Sequence, residues 1–127
     1  MAYGNVGIDK GFKAAAALTK FRAVKMSAVN TVTPVTGATD QPIGVTQVSI
    51  TAGEITKQKI ADVRVIGITE MECSAAVTIG AEIGMASDGR AKVAASGERV
   101  IGLSLSTTAN AAERVTVLLY LAGHLKP

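Results

Sequence analysis

Few residues in this chain have the type and spacing for chemistry. Glu70 and Glu72 lie two apart, so on a strand both carboxylates face the same way. Such a pair suits general acid–base work or a bound cation, and it suits a solvated strand face better. Cys73 is the only cysteine, and no His, Asn or Asp stands near it in sequence to take its proton. It reads as a small, semi-buried side chain. His124 is the only histidine and reads as a solvated tail residue. One Cys and one His fall short of the roughly four donors of a zinc site. The glycines of Ile79-Gly80-Ala81-Glu82-Ile83-Gly84 precede no phosphate-loop Lys and Ser, and they lack the strand–glycine–helix setting of a dinucleotide fingerprint. The expectation is a protein with no catalytic residues, no metal and no cofactor, and hence not an enzyme.

The elements that would position these residues read as short strands. The chain has 127 residues, 48% of them hydrophobic, which is one domain with a modest core. Two Tyr, two Phe and no Trp leave that core to Val, Ile, Leu, Ala and Met. A thin aliphatic core makes oligomerisation an expected source of stability. A lone cysteine excludes an intrachain disulfide and fits a reducing site of synthesis. No apolar run approaches the roughly 20 residues of a membrane span. The order of a signal peptide is absent from the N-terminal stretch.

A repeat organises the chain. Gln41 to Ile55 returns as Val100 to Val115, with Ile43-Gly44-Val45-Thr46 matching Ile101-Gly102-Leu103-Ser104 and Glu54 matching Glu113. A glycine inside a strand marks a bend or a close backbone approach, so the repeat predicts a pseudo-duplicated β-domain. From Asn30 onward β-branched residues and turn clusters alternate. Ile43–Ile50, Ile55–Ile60, Ala61–Thr69, Ala81–Met85, Arg90–Ala94, Val100–Leu105 and Arg114–Leu121 read as strands, and Thr51–Glu54 reads as a turn. Asp88-Gly89 predicts a type I′ hairpin turn, and Ala122–Pro127 a frayed tail. Turns every eight to twelve residues predict an all-β fold, a small β-sandwich or barrel of short antiparallel strands. Residues 1–17 are glycine-punctuated and read as an N-terminal arm, extended or partly helical, and residues 18–127 as the β-domain. Residues 19–26 fit either a helix or a strand by periodicity alone.

The net charge of +3 is uneven. Residues 1–27 carry Lys10, Lys13, Lys20, Arg22 and Lys25 against Asp9 alone, a balance of +4. The rest carries eight basic and nine acidic residues, a balance of −1. The basic segment is either a solvated face or a surface that docks on an acidic partner. Few aromatics stand among these basic residues for base stacking and no nucleic-acid-binding motif is present, so no specific nucleic acid is expected.

The ordered set of motifs resembles phage capsid cement, or head decoration, proteins. Ala17 to Met26 is similar to their A-L-x-x-x-F-x-x-V-K-L start, Asp40 to Val45 to D-x-P-I-G-V, and Ala52-Gly53-Glu54 to A-G-E. Ser87 to Ala91 is similar to D-x-x-G-x-A, Gly97 to Ser104 to G-D-x-V-I-G-I-A, and Val115 to Leu119 to V-x-V-L-L. The resemblance spans residues 17–121. It implies a strand over Phe21–Met26 and a homotrimer on the outer surface of the virion. There it would bind the major capsid protein of the expanded shell and stabilise contacts between its subunits. Lys10, Lys13, Lys20, Arg22 and Lys25 are then the expected capsid-binding residues. A carbohydrate- or host-surface-binding β-module of a virion is the alternative, and four aromatics supply little material for a sugar platform.

Overall fold

Alternation over residues 61–72 buries Ala61, Val63, Thr69 and Met71 on one face and turns Asp62, Arg64, Ile66, Ile68, Glu70 and Glu72 outward. This long strand is the spine of the molecule. The computed structural model describes residues 5–127. In chain order its elements are β1 (Gly7–Ala14), β2 (Ala23–Ala28), β3 (Thr31–Pro34), β4 (Pro42–Thr46), α1 (Ala52–Thr56), β5 (Ala61–Glu72), β6 (Glu82–Met85), β7 (Ala91–Val93), β8 (Arg99–Ser104) and β9 (Arg114–Leu125).

The strands join in the order β1-β3-β2-β4-β5-β9-β8-β6-β7, and β1 also pairs with β5. The first five therefore close on themselves as a five-stranded barrel, and the fold is all-β. Gly67 is the one residue of β5 that pairs with both β1 and β9, beyond the residues Val63 and Arg64 that pair with β4. Residues 61–67 pair with β1, and residues 67–72 pair with β9.

The second half repeats the first around this shared strand. The β1–β3 contact is parallel, and so is the bridge from Cys73 to Ala91 on β7. The antiparallel bridge Leu18–Ile50 has its counterpart in Val77–Thr108. Phe21 donates its N–H to Thr46 O at 2.8 Å, and Gly80 donates to Ser104 O at 2.9 Å. Both residues are left-handed, at φ 66° and 84°. Glycine adopts that conformation at no steric cost, whereas Phe21 is held there against a strain on the order of 1–3 kcal/mol. The two strand glycines also coincide. A Cβ on Gly44 would lie 2.2 Å from Arg64 O, and one on Gly102 would lie 2.5 Å from Leu118 O. At both places a neighbouring carbonyl occupies the space a side chain would need.

Two apolar clusters fill the halves. Phe12, Leu18, Val24, Val32, Ile50, Ala61 and Val63 form one. Met71, Cys73, Val77, Ile83, Met85, Val115 and Val117 are the centre of the other, which reaches back to Ala23, Val35 and Val45. Buried hydroxyls are satisfied within the chain: Thr46 Oγ1 donates to Val48 O, Ser104 Oγ to Thr78 O, and Thr69 Oγ1 to Glu70 O.

Several local expectations change. Residues 7–14 of the expected arm are a strand inside the barrel, because their backbone groups find partners on both β3 and β5; residues 1–4 of that arm lie outside the described residues. The segment expected as strand over Ile55–Ile60 opens instead within α1. Thr51 accepts from the Glu54 N–H while Glu54 accepts from the Thr51 N–H, a capping box that converts the expected turn into a helix start. The strand implied over Phe21–Met26 begins at Ala23. Gly89 alone of the Asp88-Gly89 pair has positive φ, so the hairpin turn is not type I′. The expected frayed tail continues β9 as far as Leu125, which pairs with Arg99.

Candidate functional site

The five basic residues separate into two groups. Lys10, Lys13 and Lys20 are exposed, and none has a carboxylate partner among the described residues. Lys10 Nζ stands 4.8 Å from the Phe12 ring centroid and Lys20 Nζ stands 5.1 Å from that of Phe21, distances at which a cation is attracted to a ring face. Arg22 and Lys25 are half-buried and engaged within the chain. The Thr36 N–H donates to Asp40 Oδ2 at 2.8 Å and Lys25 Nζ lies 2.9 Å from the same oxygen, and these bonds hold the Asp40 carboxyl down at about 2.

Arg22 belongs to a four-charge cluster between the halves. Its Nε lies 3.2 Å from Glu72 Oε1 and its Nη1 4.0 Å from Asp88 Oδ2. Arg90 closes the square, with Nε 2.8 Å from Asp88 Oδ2 and Nη1 3.7 Å from Glu72 Oε2. Burial raises the Asp88 carboxyl, but hydrogen bonds from the Arg90 backbone and guanidinium, with the Arg90 and Arg22 charges, take it below its usual range. Two cations and two anions cancel here, so Arg22 contributes cohesion between the halves rather than outward charge. Lys57 adds a fourth lysine without a carboxylate partner among the described residues, and all four lie in the first half. Nothing in the local sequence marks Arg22 and Lys25 as neutralised, because their partners are distant along the chain.

The residues first considered for chemistry are held elsewhere. Glu70 lies 3.7 Å from Arg114, and Glu72 lies in the cluster just described. Cys73 is buried beside Thr108 Oγ1, 3.5 Å from its sulfur. His124 Nε2 is 3.9 Å from Glu82 Oε2 and its ring stacks on Tyr120 at 6.0 Å.

A second surface was not legible in the sequence. Ile8 faces Ile66 across β1–β5, Ile68 faces Leu118 across β5–β9, and Leu118 faces Leu103 across β9–β8. These side chains form an apolar stripe across the outer face of four strands. Ile8 is 60% exposed, Ile66 41% and Leu118 37%. Its flanking charges are paired within the chain, Arg64 with Asp9 at 2.7 Å and Arg114 with Glu70 at 3.7 Å. An exposed apolar face with a neutral rim is the chemistry of an interface rather than of a catalytic pocket.

No family model matches the sequence, and no curated protein matches it. Among solved structures the chain is similar to the N-terminal base of head fibre gp8.5 of bacteriophage phi29. The match has a TM-score of 0.70 and covers 96% of this chain and 100% of that one, at 12% sequence identity. At that identity the likeness is one of fold.

Proposed function

We propose that this chain is a non-enzymatic structural protein of a phage virion, a decoration protein that binds the outer surface of the expanded capsid and stabilises contacts between major capsid protein subunits. The observation that carries the reading is the likeness to a head-fibre base over nearly the whole of both chains, with the ordered decoration-protein motifs supporting it. The physical role is a clamp. A protein that binds only the expanded shell stabilises it by RT ln(1 + [L]/Kd) per site, about 2.7 kcal/mol when the free protein is at 100 times Kd. Engaging several subunits at once adds effective concentration without new contacts.

Two surfaces supply the two interactions such a clamp needs. The apolar stripe suits association between copies, as its neutral rim sets no like charges against each other. The lysines of the first half that have no carboxylate partner among the described residues suit an acidic shell surface and lie outside the stripe's own residues. The assembly is proposed as a homotrimer.

Co-sedimentation tests this reading. Purified protein is mixed with expanded, undecorated heads and with unexpanded heads, and both are pelleted. Saturable recovery at a fixed ratio per capsid subunit on expanded heads alone is expected. Protein that stays in the supernatant with both would overturn the reading.

A further inference from the structure

The repeat isolates one element that the second half lacks. Thr46 pairs with Val63 in the first half and Ser104 with Val117 in the second. The connection from Ile50 to Val63 is four residues longer than its counterpart from Thr108 to Val117. Both connections begin alike, with a carboxylate accepting backbone N–H groups: Glu54 from Thr51, and Glu113 from Ala109 and Asn110. The extra length falls after Glu54, in the end of α1 and the turn at Gln58, where φ is 58°.

That extra length builds a cleft of about 170 Å³ against β1, lined by Lys13, Ala14, Ile55, Gln58, Lys59 and Ile60. Ile60 is 53% exposed and reaches over Gly11, where an added Cβ would come within 2.7 Å of its Cγ2. The floor is aliphatic and the rim is cationic. Lys59 donates to Glu54 Oε2 at 2.9 Å and to Ser49 O at 3.2 Å, which leaves one of its three donors. Lys13 has no carboxylate partner among the described residues, and Lys57 stands at the end of the same helix.

The volume is below the roughly 300–1,000 Å³ of a small-molecule site, and suits one aliphatic side chain. No aromatic lines it, which disfavours a nucleic-acid base. We propose that the cleft between α1 and β1 docks an extended acidic segment of a partner protein, which seats one aliphatic side chain between Ile55 and Ile60 and sets flanking carboxylates against Lys13 and Lys59. Identifying that partner with the capsid rests on the function proposed above; the chemistry of the cleft does not.

The probe is a capped pentapeptide of leucine flanked by two glutamates on each side, titrated into the full ¹⁵N-labelled chain. Amide shifts concentrated at Lys13, Ala14, Ile55, Gln58, Lys59 and Ile60 are expected, with Kd near or below about 1 mM at low salt, weakening as salt is added. Lys13→Glu and Ile60→Ser should each weaken binding about tenfold while the remaining amide spectrum stays that of the folded protein. No saturable shift at the cleft, shifts centred elsewhere, or equal binding by both variants would overturn the proposal. So would displacement of the peptide from the cleft by a single-stranded oligonucleotide at lower concentration. Pelleting Lys13→Glu with heads separates the two readings. Peptide capture in the cleft with undiminished head occupancy by this variant retains the acidic-segment site and removes the capsid as its partner. Head occupancy by the wild-type chain without peptide capture removes the site and retains attachment.

Discussion

Gly44 and Gly102 sit where a neighbouring carbonyl leaves no room for a methyl group. Gly44→Ala and Gly102→Ala should each lower unfolding free energy by about 1–3 kcal/mol through forced backbone displacement. Gly53 has open space around it inside α1, so Gly53→Ala should raise stability by about 0.5–1 kcal/mol. Urea denaturation of the three variants checks both signs. Asp40 gives a pH-dependent counterpart. Hydrogen bonds from the Thr36 N–H and Lys25 lower its carboxyl from 3.8 to about 2. A group depressed by folding contributes stability above its unfolded pKa and loses it as pH falls through the folded value. The urea midpoint should therefore drop between about pH 4 and pH 2. Asp40→Asn should show a lower midpoint at neutral pH and a shallower acid slope, the remainder coming in part from Glu54, which is lowered from 4.5 to about 2. An unchanged acid slope in Asp40→Asn would remove Asp40 from the account.

At the scale of elements, β1 closes the first barrel, so deleting residues 1–12 removes all of its pairing with β5 and leaves only Lys13 and Ala14 on β3. The truncated chain should melt at a lower temperature with reduced cooperativity, and amides of residues 61–67 should lose exchange protection. Unchanged protection there would show that the barrel does not depend on β1. Gly7 and Gly11 hide this strand in the sequence, since they break the apolar alternation that identifies strands. Its partners lie across β3 and β5, a relation no local pattern carries. The short helix was locally legible, by contrast: Thr51 and Glu54 have the spacing of a capping box, although Gly53 between them reads as a turn signal. The Gly44 and Gly102 repeat was readable because both glycines answer the same close approach. Of the candidate surface, the sequence showed the cluster of cations and not its partition. Arg22 is neutralised by Glu72 and Asp88, and Lys25 by Asp40, through contacts that exist only in the folded chain.

For the molecule as a whole, the proposed arrangement has copies joined through the outer face of β1, β5, β9 and β8, and the basic first half turned to the shell. Ile66→Glu combined with Leu118→Glu puts charge into the middle of the stripe while leaving the inward faces of β5 and β9 intact. Light scattering should then report monomer mass where the unaltered protein reports a trimer. An equal mass for both would place the interface elsewhere. The most direct measurement is cryo-electron microscopy of expanded heads saturated with the protein, compared with undecorated heads from the same preparation. The account predicts added density on the outer surface across contacts between major capsid protein subunits, with the half containing Lys13, Lys20 and Lys57 against the shell. Heads that show no added outer density after saturation, or density only inside the shell, would contradict it.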